Sequence, residues 1–592
     1  MARFGRHSSP VEVHAPVQTD ERPADWDVQH GGHRLGELLV ERGLVDSGAV
    51  LAALEQKRKG AQQRLGRLLI DRGAVSERDL TAVLAQQQSL DVIDLRDVTP
   101  EPEVLALLSD TSAHGLQALP VRFEGNAVLL AVADGTDATA NRIREAVQHP
   151  VVLRLAAQSD LMRAIDTSYR ALVGVESQVK VFQARDGLRR ESARTEPESA
   201  ADDAPVVQVV QKILTQALRD RASDIHLEPH EERVRIRYRI DGALHDVLEL
   251  PGSMAAALVS RIKIMAGMNI VERRRPQDGQ ISTSLEDRAV DIRVSTVSVI
   301  GGEKVVMRLL DKSRPLFDLG RLGMPSAVAE RYKEQLHSPY GMVICAGPTG
   351  SGKTTTLYGS LGEINSPDRN IMTIEDPVEY TFPSINQIQI NEQAGITFAG
   401  GLRSILRQDP DIILVGEIRD PETARIAVQS ALTGHFVLSS VHATDTVSAL
   451  HRLVDMGIET FLVASSVTTV LAQRLVRRVC QYCRESYWPP REELAFLDSI
   501  SPGGNADAVF LRGTGCNFCA HTGYLERVGV YEMMPVTERV RELVVERAPH
   551  DELRKLARAD GMQTLLEEAT RLVRSGVTTT AEVMRSVYVV GG

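Results

Sequence analysis

No apolar run in the sequence approaches the roughly 18 residues that a membrane-spanning helix requires. The amino terminus, Met1 to Pro10, carries positive charge but lacks the apolar core of a signal peptide. The chain is therefore expected in the cytoplasm, meeting a membrane only through partners. A surplus of positive charge is also missing. Lys plus Arg number 68 against 79 Asp plus Glu, a formal charge of −11, and there is no basic groove studded with aromatic residues. Phosphate backbones select clustered positive charge, so nucleic acid is not expected as the main partner. Cysteine is scarce, five in 592 residues, which argues against a disulfide scaffold. Four of the five fall into two Cys-x-x-Cys pairs, a spacing that suggests metal in a reducing compartment.

What is present is ordinary globular composition, 43% hydrophobic and 25% charged, in a chain long enough for about three or four domains. Residues 1–33 are polar, with Pro10, Pro16 and Pro23, and read as a disordered tail. A second stretch from about Glu176 to Pro205 mixes both charge signs with little apolar content, giving an expected solvated linker at 173–205. Between them, within a domain at 34–172, lies an internal repeat. Arg34-Leu35-Gly36 opens one copy, with apolar residues at 38, 39, 44, 45, 50, 51 and 54. Arg64-Leu65-Gly66 opens the other, with apolar residues at 68, 69, 74, 75, 80, 83 and 84. The offset is 30 residues, Gly43 matching Gly73. Each copy reads as helix, turn and helix, and two copies stack to bury their apolar faces. Residues 116–133 look like strands completing an α+β domain. Apolar and polar residues alternate at 206–317, predicting strands of a second, smaller α+β domain. From 318 to 592, short apolar runs alternate with helical stretches, as in a parallel α/β sheet.

Gly347-Pro348-Thr349-Gly350-Ser351-Gly352-Lys353-Thr354 matches G-x-x-x-x-G-K-[ST] in full. A buried strand, Met342 to Ala346, precedes it, and Thr355 continues into a helix. Such a loop wraps phosphates with backbone N–H groups at a helix N-terminus. Lys353 would neutralise the β- and γ-phosphates of ATP, and the Thr354 hydroxyl would ligate Mg2+. The apolar strand Asp411 to Val415 ends in Gly416-Glu417, an acid placed to hold magnesium or a water. Glu375, Asp376 and Glu379 put three carboxylates in five residues, which repel one another unless a cation or a reacting group lies among them. One could order the attacking water as a general base. His435 and His442 bracket a strand-like run at opposite ends. Two readings stay open for them, core hydrogen-bonding and sensing of the γ-phosphate.

These motifs, with Arg407 to Asp420, Thr433-Gly434-His435, Ser223 to Pro229, Arg275 to Gly279, and the later Gly523-Tyr524 and Val530-Tyr531-Glu532, resemble the secretion ATPases of type II secretion and type IV pilus assembly. The resemblance runs from about residue 34 to the end. It implies an α/β fold: a RecA-like P-loop ATPase core, preceded by a PAS-like α+β domain and an N-terminal α+β domain with the helical repeat. It implies a homo-hexameric motor with ATP sites at subunit interfaces. Glu379 would be the catalytic carboxylate and Glu417 the Walker B acid. Arginines of the small domain, Arg239 and Arg293 as candidates, would reach the phosphates in trans. The implied partners are an inner-membrane platform protein and a cytoplasmic docking protein of a pilus or secretion machine, recruiting the chain to the inner face of the plasma membrane.

Cys480, Cys483, Cys516 and Cys519 match the assembly and export members. Two such knuckles can hold zinc through four thiolates, a closed structural site of about residues 480–519, with redox dithiols as the alternative. The sequence departs from the family at Glu526, where glycine is expected before Arg527. The repeat resembles the MshEN-like domain that binds cyclic di-GMP in some of these ATPases. Its candidate residues are Arg34, Gly36, Arg64, Gly66 and Gln87, with Lys57 where the first copy should have Gln. A docking domain that has lost the ligand is the rival reading. For the whole chain the rivals are a nucleic-acid translocase and a non-catalytic cyclic di-GMP receptor.

Overall fold

The computed structural model describes residues 35–58, 63–96, 98–169, 172, 175–191, 204–286, 288–311 and 319–588. The expected tail and Arg34 lie outside these residues. The chain divides into two compact units on either side of Ile165. No helix among the described residues is long and apolar enough to cross a membrane.

In the first unit the repeat forms helices Leu35–Glu41, Ser47–Arg58, Leu65–Asp71 and Glu77–Gln87. Their buried residues fall into pairs 30 apart: Leu38 with Leu68, Leu39 with Leu69, Val45 with Val75, Val50 with Leu80, and Ala53 with Val83. The expected register is corrected in one place. Leu51 is 49% exposed and Ala53 takes the buried position, because Ser47–Arg58 turns that face inward. Gly36 and Gly66 are buried helix contacts: an added Cβ would lie 3.0 Å from Val50 and 2.7 Å from Leu80 respectively. Tight helix packing therefore accounts for these glycines without a ligand. A three-stranded sheet follows, with Ala127–Val132 between antiparallel Ala118–Glu124 and parallel Val151–Leu155.

In the second unit the expected solvated linker is corrected over Val175–Glu191 and from Ala204 on, while 173, 174 and 192–203 lie outside the described residues. Val175–Glu191 is a helix, and its Val175 and Phe182 are buried in one core with Val206, Val209 and Ile213 of Ala204–Arg219. Val175, Val179 and Phe182 follow the i, i+4, i+7 spacing of one helical face, which the charged composition obscured. Six antiparallel strands follow, ordered Ala243–Pro251, Arg233–Ile240, Asp224–Pro229, Gly302–Asp311, Arg288–Val299 and Gln277–Leu285. Their inward face, with Ile225, Ile236, Tyr238, Ile292 and Met307, packs against Ala204–Arg219 and Ala255–Met265. The opposite face is polar.

The ATPase sheet has seven strands, ordered Asn386–Gln389, Ile371–Glu375, Ile412–Val415, Phe436–Val441, Gly341–Ala346, Val467–Val479 and Tyr524–Pro535. All neighbours are parallel except the last pair. Gly341–Ala346, Ile371–Glu375, Ile412–Val415 and Phe436–Val441 are wholly buried, as strands covered by helices on both faces must be. Their carboxyl ends share one edge, where ligands bind in such folds.

Candidate active site

The loop after Gly341–Ala346 enters the helix Lys353–Ile364 through Gly350 and Gly352, at φ +76° and +89°. That left-handed backbone suits glycine and curls the loop. Lys353 Nζ donates to the carbonyls of Gly347 at 2.8 Å and Pro348 at 3.2 Å. Burial pulls its ammonium below the ordinary range, with Glu417 opposing. A cleft of about 830 Å³ opens over the loop, lined by Pro348 to Thr355, Glu375, Glu379, Glu417 and His442. The volume suits a nucleotide-sized ligand.

The carboxylates are not equivalent. Glu375 is 4% exposed. It accepts hydrogen bonds from Tyr358, from Thr373 Oγ1 at 2.6 Å and from Gln387 Nε2 at 3.2 Å. Tyr358 Oη also accepts from the Glu379 amide at 3.1 Å. Glu375 thus fixes the turn that carries Glu379. The Glu379 carboxylate has no hydrogen-bond partner among the described residues. Burial pushes it above the ordinary carboxyl range, opposed by Arg293, reinforced by Glu375 and opposed again by Arg308. A half-buried carboxylate with a raised pKa and open lone pairs suits a general base.

Glu417, just beyond its strand, accepts from Arg419 Nε at 2.8 Å, and His442 Nε2 lies 2.7 Å from its other oxygen. His442 therefore joins the cleft. His435 lies at the far end of Phe436–Val441, its Nδ1 3.0 Å from the Ser430 carbonyl, the geometry of a structural histidine. Arg239 lines the cleft over the P-loop of its own chain, whereas Arg293 lines an adjoining cavity with Glu379 and Gln280.

Sequence reading missed Asp224, Arg308, Arg419, Arg474, Arg527 and Arg585, all of which line the same cleft. It also missed Gln473, whose Nε2 donates to the Ser351 carbonyl at 2.8 Å and braces the P-loop from behind. Asp224 and Arg419 lie inside motifs already noted, Ser223 to Pro229 and Arg407 to Asp420, and Arg527 follows Glu526, but none of them was assigned to the cleft. The others reach the cleft from distant strands and helices.

The four cysteine sulfurs lie within 4.8 Å of one another. Cys480–Cys516 and Cys483–Cys519 are separated by 3.9 Å, and Cys516–Cys519 by 3.8 Å. Four sulfurs at roughly 2.3 Å from a tetrahedral zinc would be about 3.8 Å apart. The amides of Gly515, Cys516 and Gly523 donate to Cys483 or Cys519 sulfur at 3.2–3.3 Å, which favours thiolates. The donor set fits zinc. Glu526, the residue in place of glycine, adopts φ +67°. Its amide donates to Asp241 at 3.0 Å, and its carboxylate lies 3.3 Å from Arg221. In the first unit, Arg64 is 86% exposed and pairs with Asp134 at 3.0 Å.

A phosphate-binding loop, strand-end acids and a mainly parallel sheet define a P-loop ATPase with a RecA-like core. The family described as Type II/IV secretion system protein matches residues 199–585, and the MshEN domain matches residues 88–174. The type IV pilus assembly ATPase PilB of Myxococcus xanthus is 40% identical over 557 residues, 93% of this chain and 98% of that one. The type II secretion system protein HxcR of Pseudomonas aeruginosa is 48% identical over 419 residues, 71% of this chain and 84% of that one. The type II secretion system protein E of Xanthomonas campestris pv. campestris is 40% identical over 510 residues, 85% of this chain and 89% of that one. The chain belongs to the type II/IV secretion system protein family, as one of its secretion and pilus-assembly ATPases.

Proposed function

We propose that this chain works as a homo-hexameric motor that hydrolyses Mg-ATP to drive pilus assembly or type II secretion. The observation that carries the reading is the convergence of the P-loop, Glu379, Glu417 and His442 on one cleft faced by small-domain arginines. In this reading the P-loop amides and Lys353 hold the phosphates, and Thr354 and Glu417 hold Mg2+, which would supply charge neutralisation. Glu379 takes the proton of the attacking water. Arg239, Arg308 and Arg293 stabilise charge developing on the phosphates. Glu375 and His442 keep Glu379 and Glu417 in place. Zinc in the four-cysteine module is structural, because four thiolates leave no open position. The machine's membrane platform and docking proteins recruit the motor to the inner face of the plasma membrane.

The first unit is the regulatory or docking element, and cyclic di-GMP is its proposed ligand, with the exposed Arg64 pairing phosphate or stacking on guanine. The decisive experiment is ATP hydrolysis by the full chain with Mg2+, alongside Lys353→Ala. Turnover that Lys353→Ala abolishes and duplex DNA leaves unchanged supports the reading. Stimulation by DNA would favour a translocase. Light scattering with Mg-ATP reports the hexamer, and calorimetric titration with cyclic di-GMP, using Arg64→Ala as control, reports the regulator.

A further inference from the structure

The polar face of the six-stranded sheet carries a charged row that crosses five strands. Asp224 pairs in register with Arg239 on one side and Arg308 on the other. Arg308 is opposite Arg293, and Arg293 is opposite Gln280. Residues in cross-strand register share a face, so three arginines and one aspartate stand side by side. Their neighbours Ile225, Tyr238, Met307 and Ile292 point the other way, into the core. Placing Arg308 directly opposite Arg293 is electrostatically unfavourable. A fold with no use for this charge would not be expected to concentrate it there.

Asp224 is the anomaly in the row. It is only 6% exposed, yet it lines the cleft that faces the P-loop. A carboxylate beside a triphosphate site repels the ligand unless it serves another group. Its contacts identify that group. Oδ1 accepts from Arg308 Nε at 3.0 Å, and Arg239 Nε lies 3.7 Å from Oδ2. Ser223 Oγ donates to Oδ2 at 2.8 Å and fixes the carboxylate between the two. Arg308 is hydrogen-bonded through Nε, and Arg239 turns its Nε edge to the carboxylate as an ion pair. That leaves the terminal Nη groups, the fork that binds phosphate bidentately, for another acceptor. Arg239 lends Nη1 to the Gly242 carbonyl at 3.1 Å, while Arg308 Nη groups take no hydrogen-bond partner among the described residues. The nearby Glu228 is committed to Arg237 and Lys304.

We propose that Asp224 is a positioning residue for ATP hydrolysis, gripping Arg239 and Arg308 by their Nε edges and presenting their terminal nitrogens to phosphates at the P-loop. It acts through the arginines and touches no phosphate itself, so this inference rests on their proposed role above. In water, free arginine side chains sample many rotamers, and a pre-set pair loses less freedom when charge develops.

The test is steady-state ATP hydrolysis by the full chain for wild type, Asp224→Asn, Arg239→Gln/Arg308→Gln, and the triple variant. Asp224→Asn keeps the shape and removes the charge. It is expected to lower kcat at least about fivefold while KM changes less than about threefold, the signature of a lost transition-state contact. In the triple variant Asp224→Asn should cost less than about twofold beyond the arginine double variant, because nothing remains to position. Asp224→Glu, which keeps the charge, should recover part of kcat, whereas a purely steric role would make the larger residue the worse one. Undiminished kcat in Asp224→Asn, or a full multiplicative loss in the triple variant, overturns the proposal. If the arginine double variant alone keeps wild-type kcat, the arginine reading fails and the proposal falls with it. If that variant is impaired and the triple is multiplicative, only the Asp224 inference fails.

Discussion

In the four-cysteine module, four sulfurs lie within 4.8 Å of one another and backbone amides close the shell around them. In the nucleotide cleft, Glu375 is similarly saturated by Tyr358, Thr373 and Gln387, but Glu379, four residues on, has open lone pairs. The difference separates groups that hold a shape from groups available to react. A group that has its partners loses much when one of them is removed, as the cysteine sulfurs would on losing the proposed zinc, whereas an open, desolvated group costs stability and is retained for chemistry.

The largest effect expected from breaking this contrast is at Glu379. Glu379→Gln should lower kcat by at least about 10²-fold, with nucleotide affinity kept within about threefold, measured by turnover and fluorescent-nucleotide titration. The module should respond in the opposite manner. Cys480→Ser with Cys516→Ser should abolish zinc in metal analysis and lower the melting temperature by roughly 10 °C, while turnover of the folded fraction stays within about threefold. Glu375→Gln should fall between the two, costing kcat about three- to tenfold and also lowering the melting temperature, because one of the two accepting oxygens, that facing Tyr358 or that facing Thr373 and Gln387, becomes a donating amide NH2.

The pH dependence sharpens the same comparison. A base must be ionised, and burial raises the Glu379 pKa, so the acid limb of kcat should lie above the ordinary carboxyl range of about 4.5. The stability sign is opposite to that of a salt-bridged acid. The fold favours the protonated form, so its contribution is full below the unfolded pKa and is lost as pH rises through the raised folded pKa. Glu379→Gln should therefore raise the melting temperature at neutral pH while abolishing turnover. The smallest effect is expected at Glu526. Replacing it by glycine relieves a left-handed backbone but frees the unfolded chain and loses Arg221, for a net change under about 1 kcal/mol by thermal melting.

Local chemistry was legible in the sequence. The P-loop, the strand-end acid Glu417 and the paired cysteines are set by residues a few positions apart, and the repeat announced itself through its constant offset. The hexamer, the ligand of the first unit and the roles of individual site residues rest on proposal. Long-range register was not legible. Asp224 lies within the Ser223 to Pro229 motif, but its partner Arg308 is 84 positions away, and nothing local marks that pairing. Composition also misled at Val175–Glu191, where a few apolar residues at helical spacing outweighed a charged majority. Equal spacing on paper likewise hid the inequality of Glu375 and Glu379, which depends on Tyr358 arriving from the P-loop helix.

The most direct test is turnover of Glu379→Gln and Glu375→Gln side by side in the full chain, each with its melting curve. The account predicts that Glu379→Gln is at least about tenfold the slower enzyme yet the more heat-stable protein. Equal losses of turnover, or a Glu375→Gln variant that is the slower and no less stable, would contradict it.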